Sequence, residues 1–402
     1  MKKYIVCVIS ALLMLINVLP SYANNITSTD VSSSAIENVI QNEVIAENGH
    51  NWSSLEDCWT KDQKNLLASF LGNTDNEQKT VGLFNIKSAK ISEIKEIPLT
   101  SAQKFSDVNN LQEEYGNVKV FYVGIDYKVK SESKYYYNGV NYRLIDMVPE
   151  NNQWKMAEMA DVSVNDFAAE NIGFGSASEK IAARIDQARN KGLFIDPSGN
   201  VIERIPTDIS SKNTLSSDTS AVIDDHYPPT SIEIYCYNSN NYEYYGLNSP
   251  GVCNVDFVFY QECVLPNEWV VSTSPQEDLN AGAMCVKMFG WYYVYYPKFG
   301  NLNADLTDQS TNSQNFIAGQ TNSTANGAVA DMSSYGLQES NSAEIFPTYY
   351  RAGSEGYHSG YVSQDGSATL ANEGYDSLQI LQYYYNDSPT TNNEEVDLFG
   401  IG

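Results

Sequence analysis

The sequence holds one carboxylate in a setting suited to proton transfer. Glu268 closes the run Leu265-Pro266-Asn267-Glu268-Trp269, at the end of an apolar stretch that begins at Tyr260. Beside an indole and apolar side chains a carboxylic acid loses water, and its pKa rises above about 4.3. A glutamic acid that keeps its proton near neutral pH can give it to a leaving oxygen. The plainer alternative is a solvated glutamate in a surface loop, and the residues leave both readings open.

The element that must position this acid follows it. Ser274 can N-cap a helix, Pro275 fits the first helical position, and Glu277 completes an S-x-x-E capping box. Leu279, Ala283, Val286 and Gly290 then share one stripe, so the spacing predicts a long buried helix. Ala281, Gly282 and Ala283 leave room for another backbone to approach closely.

These residues resemble the signature of the stage II sporulation protein D (SpoIID/LytB, amidase-enhancer) domain family. The likeness is carried by Tyr260, Val264, Leu265, Pro266, Glu268, Trp269, Leu279, Ala281, Ala283, Lys287, Phe289, Trp291 and Tyr292. A second block is similar to the family's C-terminal half: Tyr349-Tyr350-Arg351-Ala352-Gly353, Gly360, Ser363-Gln364-Asp365-Gly366-Ser367, Leu370-Ala371 and Gly374. Between the blocks, Gln314-Asn315-Phe316 looks like the family's Gln-Val-Tyr. The resemblance spans residues 228–385, under half of the chain.

What it implies is a lytic transglycosylase acting on peptidoglycan glycan strands, with Glu268 as the general acid and base. Substrate contacts are then expected from Trp269, Lys287, Gln314, Tyr350, Ser363 and Gln364. For Lys287 the competing reading is an exposed helix lysine reaching for water. A hydrolase would need a second carboxylate about 5 to 9.5 Å away; Asp308, Glu344 and Glu355 are the candidates, and no motif supports any of them. Some family members carry a Cys/His zinc set. Here residues 305–316 hold neither Cys nor His, and His50, His226 and His358 lie far apart, so neither a metal nor a cofactor is expected. The alternatives are a non-catalytic wall-binding module, an enhancer of a partner amidase, or a surface protein whose first domain docks to another chain.

Composition agrees with an extracellular setting. The 402 residues carry a formal charge of −26, which disfavours nucleic acid and anionic membrane surfaces as partners. The 29 tyrosines, with abundant Asn and Ser, suit a sugar-binding groove; codon bias in an AT-rich genome accounts for them equally well. Lys2 and Lys3, an apolar run over residues 5–19 and Ser21-Tyr22-Ala23 read as a signal peptide, residues 1–23, with no membrane span once it is cleaved. Five cysteines follow it: Cys58, Cys236, Cys253, Cys263 and Cys285. Bridges Cys236–Cys253 and Cys263–Cys285 are conceivable; buried reduced thiols are the alternative.

The expected fold is α+β. Residues 24–50 read as a disordered leader. Residues 51–172 read as a small domain, a helix followed by a curved antiparallel sheet of the nuclear-transport-factor-like or cystatin-like kind. Its signals are a helix over 59–71, alternation over 118–129 with a slip at Ile125, and turns at Asn138-Gly139 and Asn151-Asn152. Nothing in it commits to a ligand, so a spacer or docking role is expected. A helix over 178–191 with Ile181, Ile185 and Ala188 inward, then a Ser/Thr/Asp-rich linker over 208–225, fill residues 173–227. Residues 228–386 form the SpoIID-like mixed domain around its central helix, with strands over 231–237, 255–260 and 344–350 and loops over 301–326. Residues 387–402 read as a frayed acidic tail.

Overall fold

A helix opens the described part of the chain. The computed structural model describes residues 33–205, 227–353 and 355–401. The expected signal peptide and the linker over 208–225 lie outside these residues. Helix α1 (Ser33–Gly49) buries Ile36, Ile40 and Val44 against the first sheet, so residues 33–49 are not a disordered leader. The stripe is masked in sequence by Glu43 and Glu47, which share its face and are buried with it. Burial pushes the Glu47 carboxyl up to about 8, and the Tyr127 hydroxyl donates to it at 3.1 Å. Helix α2 (Lys61–Gly72) then adds Leu66, Leu67 and Phe70 to the same core.

Four strands make an antiparallel meander: β1 (Ile86–Ile97), β2 (Lys119–Val129), β3 (Gly139–Glu150) and β4 (Gln153–Asp161). Helix α3 (Val108–Tyr115) lies in the β1–β2 connection. Asn151 and Asn152, both with positive φ, form the two-residue turn between β3 and β4. The expected slip at Ile125 does not occur. Phe121, Val123, Ile125 and Tyr127 face α1 and α2, while Val118, Val120 and Tyr122 face Phe105 and Phe167 on the other side. Both faces of the sheet are covered, so both phases of the alternation are apolar and the period looks broken in sequence. Helix α4 (Ala177–Arg189) packs on the second face through Ala182 and Ile185; Ile181 points outward instead. Arg189 turns in to meet the buried Asp161 at 3.2 Å. A hairpin of β5 (Leu193–Ile195) and β6 (Val201–Arg204) follows, and Phe194 and Ile205 pack into the core of the second unit.

The second unit is also mixed. Strand β7 (Ser231–Cys236) pairs antiparallel with β8 (Gly251–Asp256) and parallel with a short β9. The chain turns from strand to helix at Asp256, whose side chain caps α5 (Phe257–Glu268), so the strand expected over 255–260 is mostly helix. Helix α6 (Gln276–Tyr295) runs through the middle of the unit and is buried on all sides from Asp278 to Tyr295. A helix apolar all round has no solvent face to present. Its capping box does not form: Pro275 occupies the N-cap with no side-chain bond, and the Glu277 carboxylate accepts from Ser377 N at 2.8 Å. Gly282 and Gly290 admit aromatic rings rather than a second backbone. A Cβ on Gly282 would lie 2.6 Å from the Trp269 ring, and one on Gly290 would lie 2.9 Å from Tyr260.

Around α6 stand β9 (Leu306–Thr307), α7 (Ser323–Asp331), β10 (Tyr335–Glu339), β11 (Tyr350–Arg351), β12 (Val362–Ser363), α8 (Gln364–Asn372) and α9 (Ser377–Tyr385). Of the strand expected over 344–350 only Tyr350 pairs, together with Arg351 just beyond it, in parallel with β12. The tail is ordered: β13 (Val396–Gly400) pairs antiparallel with β10, and Val396 is fully buried. All five cysteines of the described residues are buried free thiols, so neither expected bridge is formed.

Three buried lysines join the units. Lys104 meets Glu339 at 3.2 Å and Glu344 at 3.0 Å; Lys134 meets Asp305 at 2.8 Å and Glu233 at 3.2 Å; Lys298 meets Glu158 at 2.7 Å. Tyr235, Phe299 and Leu302 of the second unit enter the α1-side core of the first.

Candidate functional site

A cleft of about 340 Å³ opens between the two units, within the usual range of small-molecule sites. One wall comes from the second unit: Glu268, the 310–314 loop, Tyr349 to Ala352 and Gln364. The other comes from the first unit: the start of α2, one face of α3 and Glu158 on β4.

Glu268 is the last residue of α5. Pro266 takes one N–H out of the last turn, and the Asn267 amide donates to Cys263 O at 2.6 Å, so the helix ends there. The acid therefore sits at a helix C-terminus, where the backbone carbonyls disfavour a negative charge. It is half-buried, and desolvation lifts its pKa above the ordinary glutamate value. Three donors oppose that lift: Asn315 N at 2.7 Å from Oε1, the Tyr350 hydroxyl, and the Gln364 side-chain amide. Gln364 also donates to the backbone carbonyl of Glu268 at 2.8 Å.

A chain of neutral groups stands behind the acid. The Tyr260 hydroxyl donates to Gln314 Oε1, and Gln314 Nε2 donates to the Tyr350 hydroxyl at 3.1 Å. With its lone pair engaged by Gln314, the Tyr350 hydroxyl has its proton free for Glu268. Burial and the nearby carboxylate push the Tyr350 phenol well above its usual range, so it stays a donor. No lysine or arginine contributes to the Glu268 shift.

Four of the expected substrate contacts gather at this acid, but Trp269 does so from behind. Its ring is 3 % exposed, packed over Gly282 and 4.8 Å from the Tyr350 ring, and its Nε1 donates to Asp278 at 3.1 Å. It positions Tyr350 and does not face the cleft. Gln314, Tyr350 and Gln364 line the cleft directly.

Lys287 and Ser363 are elsewhere. Lys287 is 3 % exposed, and its ammonium donates to Met332 O, Ser333 O and Tyr335 O at 3.1, 2.9 and 2.7 Å. It closes the carbonyl end of α7 rather than steering a sugar, and burial pulls its pKa down to about 7. Ser363 is fully buried; it caps α8 through Gly366 N at 2.7 Å and donates to Gly353 O. Both are scaffold residues because their polar atoms are spent on buried backbone groups.

The three expected second carboxylates are also occupied away from the cleft. Asp308 accepts from Tyr237 N, Asn238 N and Asn241 Nδ2 at 3.0, 2.9 and 2.8 Å. Glu344 pairs with Lys104, and Glu355 pairs with Arg351 at 2.6 Å. The cleft acids that sequence reasoning missed are Asp62, Asp107, Glu114 and Glu158. Asp107 accepts from Tyr361 of the opposite unit at 2.6 Å. Tyr260 was part of the motif but not assigned a place at the site. Among the described residues no group of three His, Cys, Asp or Glu side chains could hold a metal ion, and no helix is long and apolar enough to cross a membrane.

No known protein-family model matches the chain, and no curated protein matches it.

Proposed function

We propose that this chain is a secreted, cell-wall-associated protein that cleaves peptidoglycan glycan strands in the manner of SpoIID-like lytic transglycosylases, with Glu268 as the acting group. The observation that carries the reading is an acid on the cleft wall whose pKa burial raises and whose hydrogen-bond donors, Asn315 N–H, Tyr350 and Gln364, are all uncharged. The resemblance in the two sequence blocks supplies the substrate class.

The chemistry is short. Protonated Glu268 gives its proton to the glycosidic oxygen between C1 of N-acetylmuramic acid and C4 of N-acetylglucosamine, and the C1–O bond breaks. The resulting carboxylate takes the proton of the muramic 6-hydroxyl while O6 bonds to C1. A 1,6-anhydro ring forms, no water is consumed, and Glu268 is protonated again. Asn315 N–H and the Tyr350 hydroxyl stabilise the carboxylate between the two steps. One acid suffices for both.

The test compares the protein with Glu268→Gln on purified sacculi, with anhydro-muropeptides read by mass spectrometry. Release by the parent and not by the variant is expected. If neither releases them while both bind sacculi equally, the chain is a wall-binding module or an enhancer of a partner amidase.

A further inference from the structure

More acid than base is buried where the two units meet at Lys104. Its ammonium faces Glu339 at 3.2 Å and Glu344 at 3.0 Å from the second unit, and Glu170 at 3.9 Å and the nearby Asp166 from the first. Lys104, Asp166 and Glu339 are buried; Glu170 and Glu344 are half-buried. The other titratable groups against this cluster bring no positive charge. They are Asp186 on α4, Tyr292 on α6 and Tyr296 just beyond it.

Asp166 and Glu344, one from each unit, lie within hydrogen-bond reach of each other. An ionised carboxylate only accepts, so this bond exists only with a proton held between the two groups. Glu170 Oε1 has no hydrogen-bond partner, because the single ammonium cannot serve every acid around it. Four carboxylates against one ammonium would leave negative charge unmatched and away from water, which is costly. Burial accordingly lifts Asp166 well above the usual carboxylate range, with Glu344 adding to it, and pushes Glu339 up to about 7. Burial pulls Lys104 down, but the acids outweigh that and hold it above its usual range, so it stays charged throughout.

The chain runs from this junction straight into the cleft wall. Three residues after Lys104, Asp107 caps α3 and accepts from the Tyr361 hydroxyl of the second unit at 2.6 Å, and α3 carries Asn110, Leu111 and Glu114 along the cleft. We infer that the Lys104 junction is a proton-dependent latch on the α3 wall: it is closed while the acids of the two units share protons, and it loosens and widens the cleft as they ionise. Apart, these carboxyls ionise at ordinary values; docked, their pKa values are raised, so docking takes up protons. Its contribution is complete below the ordinary values and lost as pH rises through the docked ones, a window that includes about 7 for Glu339. Tyr235, Phe299 and Leu302, seated in the core of the first unit, keep the units together meanwhile. The latch acts on the cleft whatever strand it takes, and does not rest on the cleavage reading.

Hydrogen–deuterium exchange of the full chain at pH 5 and pH 8 reads the latch, with protection corrected for the intrinsic pH dependence of exchange. Amides of residues 99–115 should lose about tenfold in protection at the higher pH, while those of α6 hold theirs. Asp166→Asn with Glu344→Gln keeps a neutral hydrogen bond across the junction without a shared proton, and should remove most of that loss. Asp107, which burial also raises, supplies the remainder, with Asp146, Glu158 and Lys298 beside it. Glu344→Gln alone, at a half-buried position, should act in the same direction to a smaller extent, and stands in if the double variant does not fold. Equal protection of residues 99–115 at both pH values, or a loss that these variants leave untouched, overturns the inference. No substrate enters the measurement, so its outcome is separate from that of the sacculus assay.

Discussion

The two walls of the cleft are both built from buried carboxyl groups, yet they handle charge in opposite ways. On the second-unit wall Glu268 has only neutral neighbours, Asn315 N–H, Tyr350 and Gln364, at a helix end that disfavours negative charge. On the first-unit wall Glu158 and Asp107 stand with Lys298; burial pulls its ammonium pKa down, and the neighbouring acids outweigh that and hold it above its usual range. Desolvation raises all three carboxyls, but only Glu158 and Asp107 have a lysine to pull them back. The lesson concerns partners rather than burial. A buried acid among uncharged donors has only hydrogen bonds to offset its desolvation; one beside a lysine has a counter-charge as well, and here that pair also ties the two units together.

The comparison breaks most directly at Glu268. Replacing it by Gln should lower the rate of anhydro-muropeptide release by about 10²–10⁴-fold, the usual worth of a general acid or base. The fold should survive, because its raised pKa makes the neutral form the better native partner. The sign follows from linkage: a folded carboxyl with a raised pKa contributes stability that is complete below its unfolded pKa and lost as pH rises through the folded one. Denaturant titrations at pH 5 and pH 8 should therefore show the parent losing stability relative to Glu268→Gln as pH increases. Activity should fall over the same window as the acid loses its proton.

Lys298→Met tests the other wall. Removing the lysine leaves Glu158 and Asp107 as buried acids without a counter-charge, and stripping one partner from such a pair costs about 3–5 kcal/mol. Unfolding midpoints at neutral pH report it, and recovery of part of the loss at pH 5, where the stranded acids take up protons, separates lost charge pairing from lost packing.

These two walls were not equally legible in sequence. Glu268, Gln314, Tyr350 and Gln364 lie within short motifs, and the residues that position them are local: Pro266 ends the helix and Trp269 packs on Gly282. The opposite wall unites Asp107 and Glu158, distant in the chain but within one unit, with Lys298, which reaches them only because two separately patterned units dock. An aspartate capping α3 and a glutamate on a β-strand look like solvated residues until that docking is known. The failures elsewhere have the same cause. Lys287 and Ser363 occupy motif positions, but their partners are backbone carbonyls and amides of neighbouring helices, which residue type does not reveal. Helix α1 was hidden because its buried face carries two glutamates, and the tail strand because its only partner is the distant β10.

A third lysine sharpens the contrast. Lys287 has no acid beside it; three carbonyls hold it while burial pulls it down to about 7. Lys287→Met should keep the volume and strip those carbonyls of the ammonium's hydrogen bonds, for a loss of about 1–3 kcal/mol. Cleavage of sacculi at 20 °C should be unchanged. A selective rise in KM with stability intact would return Lys287 to the substrate and undo its assignment to the scaffold.

The smallest expected effect falls on the neutral chain behind the acid. Tyr350→Phe keeps the ring against Trp269 but removes the hydroxyl that links Gln314 to Glu268. One hydrogen bond to the carboxylate is worth about 1 kcal/mol, so kcat should fall by about five- to tenfold with little change in KM. The pH profile distinguishes this from general loosening of the site. Tyr350 favours the ionised form of Glu268, so without it the acid's pKa rises further. The limb on which activity falls with rising pH should then move to higher pH, even as the maximum drops. A limb that stays in place would mean the tyrosine never touched the acid's proton, and the two walls would differ in charge alone.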